Sequence, residues 1–139
     1  MKQEINRIIQ NLQPVLQKYQ DRILFAYLHG SVLSSENPRD IDVAVYLFPD
    51  LFDRLRRNGE VSLSFAIPME MDLEKQLKKK VDVQVLNRAP LGFRYRVVTE
   101  GILIVDKDSN TRCDFESLSR VLYYDFRQKR EEYLREVMT

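Results

Sequence analysis

The sequence is poor in several features, and each shortage excludes a class of protein. Its 139 residues include one cysteine, Cys113, so no disulfide can form within the chain, which agrees with a reducing compartment. No apolar run approaches the ~20 residues that a membrane-spanning helix needs. The N-terminal residues lack the apolar core of a secretion signal. We therefore expect a cytoplasmic protein that does not enter a membrane.

An excess of either charge is also lacking. The chain has 22 Lys and Arg against 21 Asp and Glu, a formal net charge of +1. Proteins that bind long nucleic acids through their phosphates usually carry a clear basic excess. The basic clusters at 54–57 and 78–80 are interpreted as solvated faces or ends of helices. We therefore expect no long nucleic acid as partner.

Hydrophobic periodicity predicts one mixed domain over residues 1–139. Helices are predicted over about 2–20, 51–58, 68–80, 90–100 and 109–137, and strands over 23–28, 40–48, 81–86 and 102–105. Pro14 predicts a kink in the first helix or a later start. The order of elements predicts an α+β fold (mixed α/β) in which helices flank a mixed sheet of about four strands.

Gly30 and Ser31 follow the first predicted strand. A glycine lets the backbone turn sharply and come close to a ligand. The serine hydroxyl and the backbone N–H groups that follow can face a phosphate. A Gly-Ser pair is more often a plain turn, so it gains meaning only beside other polar groups.

Asp40 and Asp42 open the second predicted strand. Side chains two residues apart on a strand share a face, so the two carboxylates project together. Close carboxylates repel each other unless a positive charge lies between them. Magnesium or manganese is the natural candidate, since Mg²⁺ takes carboxylate and phosphate oxygens together.

Asp82 lies in the third predicted strand, on the face opposite Val81, Val83 and Val85. If this strand pairs with the strand of Asp40, Asp82 completes a triad of carboxylates. Three carboxylates can hold two metals about 3.5–4 Å apart, as phosphoryl-transfer sites do. The alternative is that Asp82 belongs to the polar face of an edge strand.

These segments together resemble the DNA polymerase β-like nucleotidyltransferases. The resemblance rests on Leu-His-Gly-Ser at 28–31, Asp-Ile-Asp at 40–42 and Val-Asp-Val at 81–83. In so short a chain it is closest to the minimal nucleotidyltransferases of prokaryotes. The helix-Gly-strand segment 96–106 and the helix around 123–126 are similar to that group as well, so the resemblance covers almost the whole chain.

The resemblance implies a role for each matching residue. Gly30 and Ser31 would hold the triphosphate of ATP, and Asp40, Asp42 and Asp82 would bind Mg²⁺ or Mn²⁺. Asp82 would also help to activate an acceptor hydroxyl, which attacks the α-phosphate and displaces pyrophosphate.

The sequence departs from the family in the loop that follows Ser31. That loop has eight residues, 32–39, and is short. Segment 33–35 is Leu-Ser-Ser where many members have Ala-Arg-Gly, and Arg39 stands where many have serine. Arg39 is thus the candidate nucleotide-binding cation, unless the loop has none. The lone histidine, His29, is interpreted as a structural hydrogen-bonding residue rather than a base.

Three functions remain open at this stage. The resemblance implies transfer of AMP to a hydroxyl, such as a tyrosine of a HEPN-type toxin partner that this chain would counter as antitoxin. One alternative is a catalytically weak module that neutralises a partner by contact. Another is a nucleotidyltransferase acting on a small molecule, although such enzymes usually add a helical domain. An oligomer is also possible.

The C-terminal helix has apolar residues at helical spacing. They are Phe115, Leu118, Leu122, Phe126, Tyr133 and Val137. We expect this stripe to pack on the sheet, which leaves Tyr123, Tyr124 and Arg127 as candidates for contact with a partner. The alternative is that one of the tyrosines widens the core stripe.

Overall fold

The structure is a computed structural model that describes residues 2–34 and 38–138. The strands are β1 (Ile23–His29), β2 (Asp40–Leu47), β3 (Lys80–Val85) and β4 (Ile102–Asp106). The helices are α1 (Lys2–Lys18), α2 (Pro49–Arg57), α3 (Ile67–Leu77), α4 (Leu91–Glu100) and α5 (Ser109–Met138). Each predicted helix and strand is present, and the predicted boundaries differ from these by a few residues at most.

The four strands form one mixed sheet in the order β3-β2-β1-β4. β1 pairs antiparallel with both β2 and β4, whereas β2 and β3 are parallel. The antiparallel pairing brings the end of β1 beside the start of β2. The parallel pairing brings the start of β3 to the same edge. This edge is where the predicted site residues lie.

Alternation along the strands divides the buried residues between the two faces of the sheet. One face packs on α1 and α3 through residues such as Leu12, Leu28 and Leu73. The other face carries Phe25 and Tyr27 and is covered by α4 and the start of α5. Asp42 and Gln84 lie on this second face, since their neighbours along the strands belong to the first core.

The α1 helix runs without a break from Lys2 to Lys18 and contains Pro14. The later start that Pro14 suggested is therefore wrong. Pro14 is exposed, while Leu12, Val15 and Leu16 are buried. Burial of this apolar stripe maintains the helix even though the proline lacks an N–H donor.

The connection from α2 to α3 was missed by the sequence pattern. Residues 61–66 form a π-helical stretch that continues directly into α3. Phe65 in this stretch is buried and packs edge-on against Tyr19. At its other end α3 stops at Leu77, because Lys78 adopts a left-handed conformation with φ 56°.

The expected packing of the α5 stripe on the sheet is wrong. Except for Phe115, its members are exposed: Leu118, Leu122, Phe126, Tyr133 and Val137. The inward positions are instead residues such as Ser119, which is 1% exposed, and Tyr123, whose ring stacks on Tyr95 at 4.0 Å. One of the two tyrosines, Tyr123, therefore packs against α4, which agrees with the alternative given for these residues.

The length of α5 explains part of this exposure. Its 30 residues span about 45 Å, whereas the strands have five to eight residues each. The sheet and α4 cannot cover such a helix along its whole length.

Within the described ranges, no helix is both long and apolar enough to cross a membrane.

Candidate functional site

The end of β1 turns sharply at Gly30, directly before a short 3₁₀ turn over Gly30–Leu33. Gly30 has φ +84°, which side-chain-bearing residues rarely adopt. A Cβ atom at this position would lie 2.5 Å from an Asp42 carboxylate oxygen. Glycine is therefore required here both by the backbone conformation and by the close approach of Asp42.

Asp42 and Asp82 occupy paired register positions on the parallel strands β2 and β3. Both are half-buried, and they lie on the same face because paired residues of parallel strands project together. The strand of Asp82 thus pairs with the strand of Asp40, as the predicted site required. Asp40 lies on the same face but is exposed, beside Lys80 of β3.

Gln84 connects Asp42 to His29. Its Nε2 donates a hydrogen bond of 2.9 Å to Oδ1 of Asp42, and its Oε1 lies 2.9 Å from Nε2 of His29. His29 is 8% exposed, and its ring meets Phe93 of α4 edge-on at 5.5 Å. The histidine thus has the structural role expected for it, and the amide fixes the orientation of the Asp42 carboxylate.

A cavity of about 230 Å³ opens beside these groups, between the sheet and α4. The residues that line it are His29, Gly30, Asp42, Gln84, Phe93, Arg96 and Glu100. The two carboxylates and one guanidinium give it a mixed charge. It can therefore receive an anionic ligand only if cations balance the acids.

The predicted site residues are brought to one edge of the sheet, but they are not equally placed. Gly30 and Asp42 line the cavity, and Asp82 neighbours Asp42. Ser31 and Arg39 are exposed and do not line it. Residues 35–37 of the predicted loop lie outside the described residues.

Four of the lining residues were not foreseen: Gln84, Phe93, Arg96 and Glu100. Gln84 could have been found, since it lies two residues after Asp82 and shares its face. The α4 residues carry helical spacing of three and four, but nothing in the sequence says which side of α4 faces the acids.

The oxygen donors at this edge of the sheet suit a divalent metal only when a substrate adds further ligands. In the part of the chain that the structure describes, no three His, Cys, Asp or Glu side chains are grouped to hold a metal by themselves. Mg²⁺, however, is commonly held by one or two carboxylates together with substrate phosphates. Asp42 and Asp82 fit that type of site, with the remaining ligands supplied by a phosphate-bearing substrate and water.

One protein family matches most of the chain in sequence. The model of the family described as "Polymerase beta, Nucleotidyltransferase" matches residues 10–110. This range contains the Gly30 turn and all three aspartates. Comparison of the sequence with curated proteins found no significant match.

Solved structures share the fold across nearly the whole chain. A chain of a toxin–antitoxin complex with AMP-PNP has a TM-score of 0.67 at 19% identity, over 94% of this chain and 98% of that one. A chain of a tri-AMPylated Shewanella oneidensis HEPN toxin in complex with MNT antitoxin has a TM-score of 0.66 at 18% identity, over 96% and 98%. A chain of an MntA–HepT toxin–antitoxin structure has a TM-score of 0.65 at 18% identity, over 96% and 99%. At these identities the likeness establishes the fold.

Proposed function

Because this chain belongs to the polymerase beta nucleotidyltransferase family, we propose that it transfers AMP from ATP to a hydroxyl group at the Asp42–Asp82 site. The observation that carries the proposal is the in-register pairing of Asp42 and Asp82 beside Gly30. Two half-buried carboxylates at adjacent strand positions repel each other unless a cation joins them. A metal-bound nucleotide supplies that cation.

Each side chain then has a distinct part in binding. Asp42 and Asp82, with Asp40 at the rim, would hold Mg²⁺ or Mn²⁺. Gly30 lets the backbone approach the triphosphate, and the hydroxyl and N–H of Ser31 can donate to its oxygens. Gln84 keeps the Asp42 carboxylate in its orientation through the 2.9 Å hydrogen bond.

Asp82 is the candidate base for the transfer. Its carboxylate is half-buried and forms no hydrogen bond or ion pair with any described residue, so no described side chain competes with an acceptor hydroxyl for it. In the reaction, the acceptor oxygen forms a bond to the α-phosphorus and its proton passes to Asp82. The bond from the α-phosphorus to the bridging oxygen breaks, and pyrophosphate leaves. A bound metal supplies neutralisation of the charge on the phosphates.

We also propose that the acceptor is a tyrosine of a HEPN-type toxin and that the chain acts as antitoxin. Support comes from the similar solved structures, described as toxin–antitoxin complexes, one with a tri-AMPylated HEPN toxin. The exposed apolar stripe of α5, defined by Leu118, Leu122 and Phe126, offers a surface for such a partner. Exposed apolar residues that lie next to one another are typical of an interaction site.

The proposal is tested first by calorimetry with ATP and Mg²⁺. Asp42→Asn removes the negative charge but keeps an oxygen that can accept the bond from Gln84. We expect Mg²⁺-dependent ATP affinity to fall by at least about tenfold, since a charged ligand interaction contributes on the order of 1.5–3 kcal/mol. Chelation of the metal should weaken binding of ATP to the wild type in the same way.

The matched control is Asp114→Asn, which removes an exposed carboxylate of α5 that does not line the cavity. Its ATP affinity should equal that of the wild type. Equal affinity in wild type and Asp42→Asn would contradict the assignment of the site. ATP binding without transfer to any partner would favour the module that acts by contact.

A further inference from the structure

We propose that Arg96 of α4 binds the phosphates of the nucleotide, and that it supplies the cation which the Gly30 turn lacks. The inference rests on the proposed function and adds one residue to that site. The cavity beside Asp42 has a distinctive set of charged side chains. Of the described residues that line this cavity, Arg96 alone is a lysine or arginine, while Asp42 and Glu100 are acids.

The Arg96 guanidinium is not engaged elsewhere. Its side chain is exposed and forms no hydrogen bond or ion pair with the residues that the structure describes. Two arginines of α5, in contrast, are held by hydrogen bonds within the fold. Arg112 bonds both Asp106 and Glu116, and Arg120 donates to the Val98 carbonyl. The free donors of Arg96 therefore remain available to a ligand.

The packing of α4 directs Arg96 toward the site. Phe93, Arg96 and Glu100 follow one another at spacings of three and four, so they share a helix face, and all three line the cavity. On the other sides, Val97 is buried against the sheet and Tyr95 stacks on Tyr123 of α5. The helix is thus fixed on both flanks of Arg96.

The turn after β1 offers no positive charge. Segment 30–34 is Gly-Ser-Val-Leu-Ser; Leu33 packs against the core, and the Ser34 hydroxyl lies 3.4 Å from the Ser31 carbonyl. Arg39, the cation suggested by the sequence, is exposed and does not line the cavity. Without Arg96, the charged side chains of the cavity are both acids, which repel a triphosphate.

A guanidinium suits this position chemically. It donates two parallel hydrogen bonds to phosphate oxygens and stays charged at any physiological pH. Asp42 and Asp82 would hold a metal that neutralises phosphate charge, and Arg96 would contact the phosphates from α4. Among the described residues, Glu100, one turn further along, forms no ion pair with Arg96, so the guanidinium donors of Arg96 stay free.

The test compares Arg96→Ala, Arg96→Lys and Arg54→Ala by titration with ATP and with adenosine, each in Mg²⁺. Arg54 is an exposed arginine of α2 that does not line the cavity, so it controls for loss of one positive charge. We expect Arg96→Ala to weaken ATP binding by about 10- to 100-fold and Arg96→Lys by less. Adenosine affinity and thermal unfolding should stay unchanged in both, and Arg54→Ala should match the wild type.

Three other results would each overturn the inference about Arg96. Equal ATP affinity in wild type and Arg96→Ala would show that the guanidinium does not contact phosphate. An equal loss for ATP and adenosine would place Arg96 at the nucleoside instead. A wild type that binds no ATP would overturn the proposed function together with this inference, whereas the first two results leave that function intact.

Discussion

At the residue scale, the site depends on the contact between Gly30 and Asp42. The turn uses a left-handed backbone with φ +84°, and the space that a side chain would fill is occupied by a carboxylate oxygen. The effect of the backbone conformation can be separated from that of the Asp42 contact by comparison with two other glycines. Gly59 has φ +68° with open space around it, and Gly92 has neither the positive φ nor a neighbour.

We predict that Gly30→Ala destabilises the fold by about 2 kcal/mol or more and weakens ATP binding. A left-handed alanine costs roughly 1–2 kcal/mol, and displacement of Asp42 adds to this. Gly59→Ala should cost roughly 1 kcal/mol and leave ATP binding intact. Gly92→Ala should stabilise α4 by up to about 1 kcal/mol. Urea unfolding and ATP titration measure both effects; equal behaviour of Gly30→Ala and Gly59→Ala would show that the Asp42 contact is unimportant.

Single residues also mark the limit of what the sequence predicts for the site. Asp42 and Asp82 were placed together on the basis of strand alternation and one assumed pairing, and the parallel register confirms that pairing. Arg39 was chosen from its position beside Asp40. Arg39 does not line the cavity. The arginine that does is Arg96 of α4, which lies far along the chain from Asp40. The orientation of a helix about its own axis depends on tertiary packing, which local patterns do not encode.

At the scale of secondary structure, α5 shows how a correct helix can be given the wrong face. The apolar stripe predicted the helix, but the sheet and α4 take up a neighbouring face that carries Ser119 and Tyr123. An apolar stripe on a helix indicates only that another apolar surface packs against it. Whether that surface belongs to the same chain or to a partner depends on how far the body of the domain extends. In contrast, the strands were predicted well because each is a short run that is either continuously apolar or alternates apolar and polar residues.

The exposed stripe of α5 leads to a prediction about the partner. Phe126→Ser should leave the free energy of unfolding within about 0.5 kcal/mol, because the side chain is already 56% exposed. The same change should abolish co-purification with the proposed partner, the HEPN-type toxin. Tyr123→Ala should instead destabilise the chain by about 1–2 kcal/mol through loss of its stacking on Tyr95. An intact complex in Phe126→Ser would show that the partner binds elsewhere.

At the scale of the whole molecule, the two faces of the sheet differ in what packs against them. One face of the sheet is closed by α1 and α3 and contains the larger apolar core. The other face holds the carboxylates at one edge and supports α4 and the start of α5. Nucleotide and partner would therefore be bound on the same side of the sheet, with α4 between the cavity and α5.

Transfer of AMP at the Asp42–Asp82 site can be measured by following each phosphate of ATP. The chain is incubated with the purified HEPN-type toxin and Mg²⁺, with ATP labelled at either the α- or the γ-phosphate. We predict that label from the α-phosphate becomes covalently attached to the partner and that label from the γ-phosphate leaves as pyrophosphate. Asp82→Asn should keep the fold and reduce transfer by orders of magnitude. Attachment of the γ-label, or equal transfer by Asp82→Asn, would contradict the account.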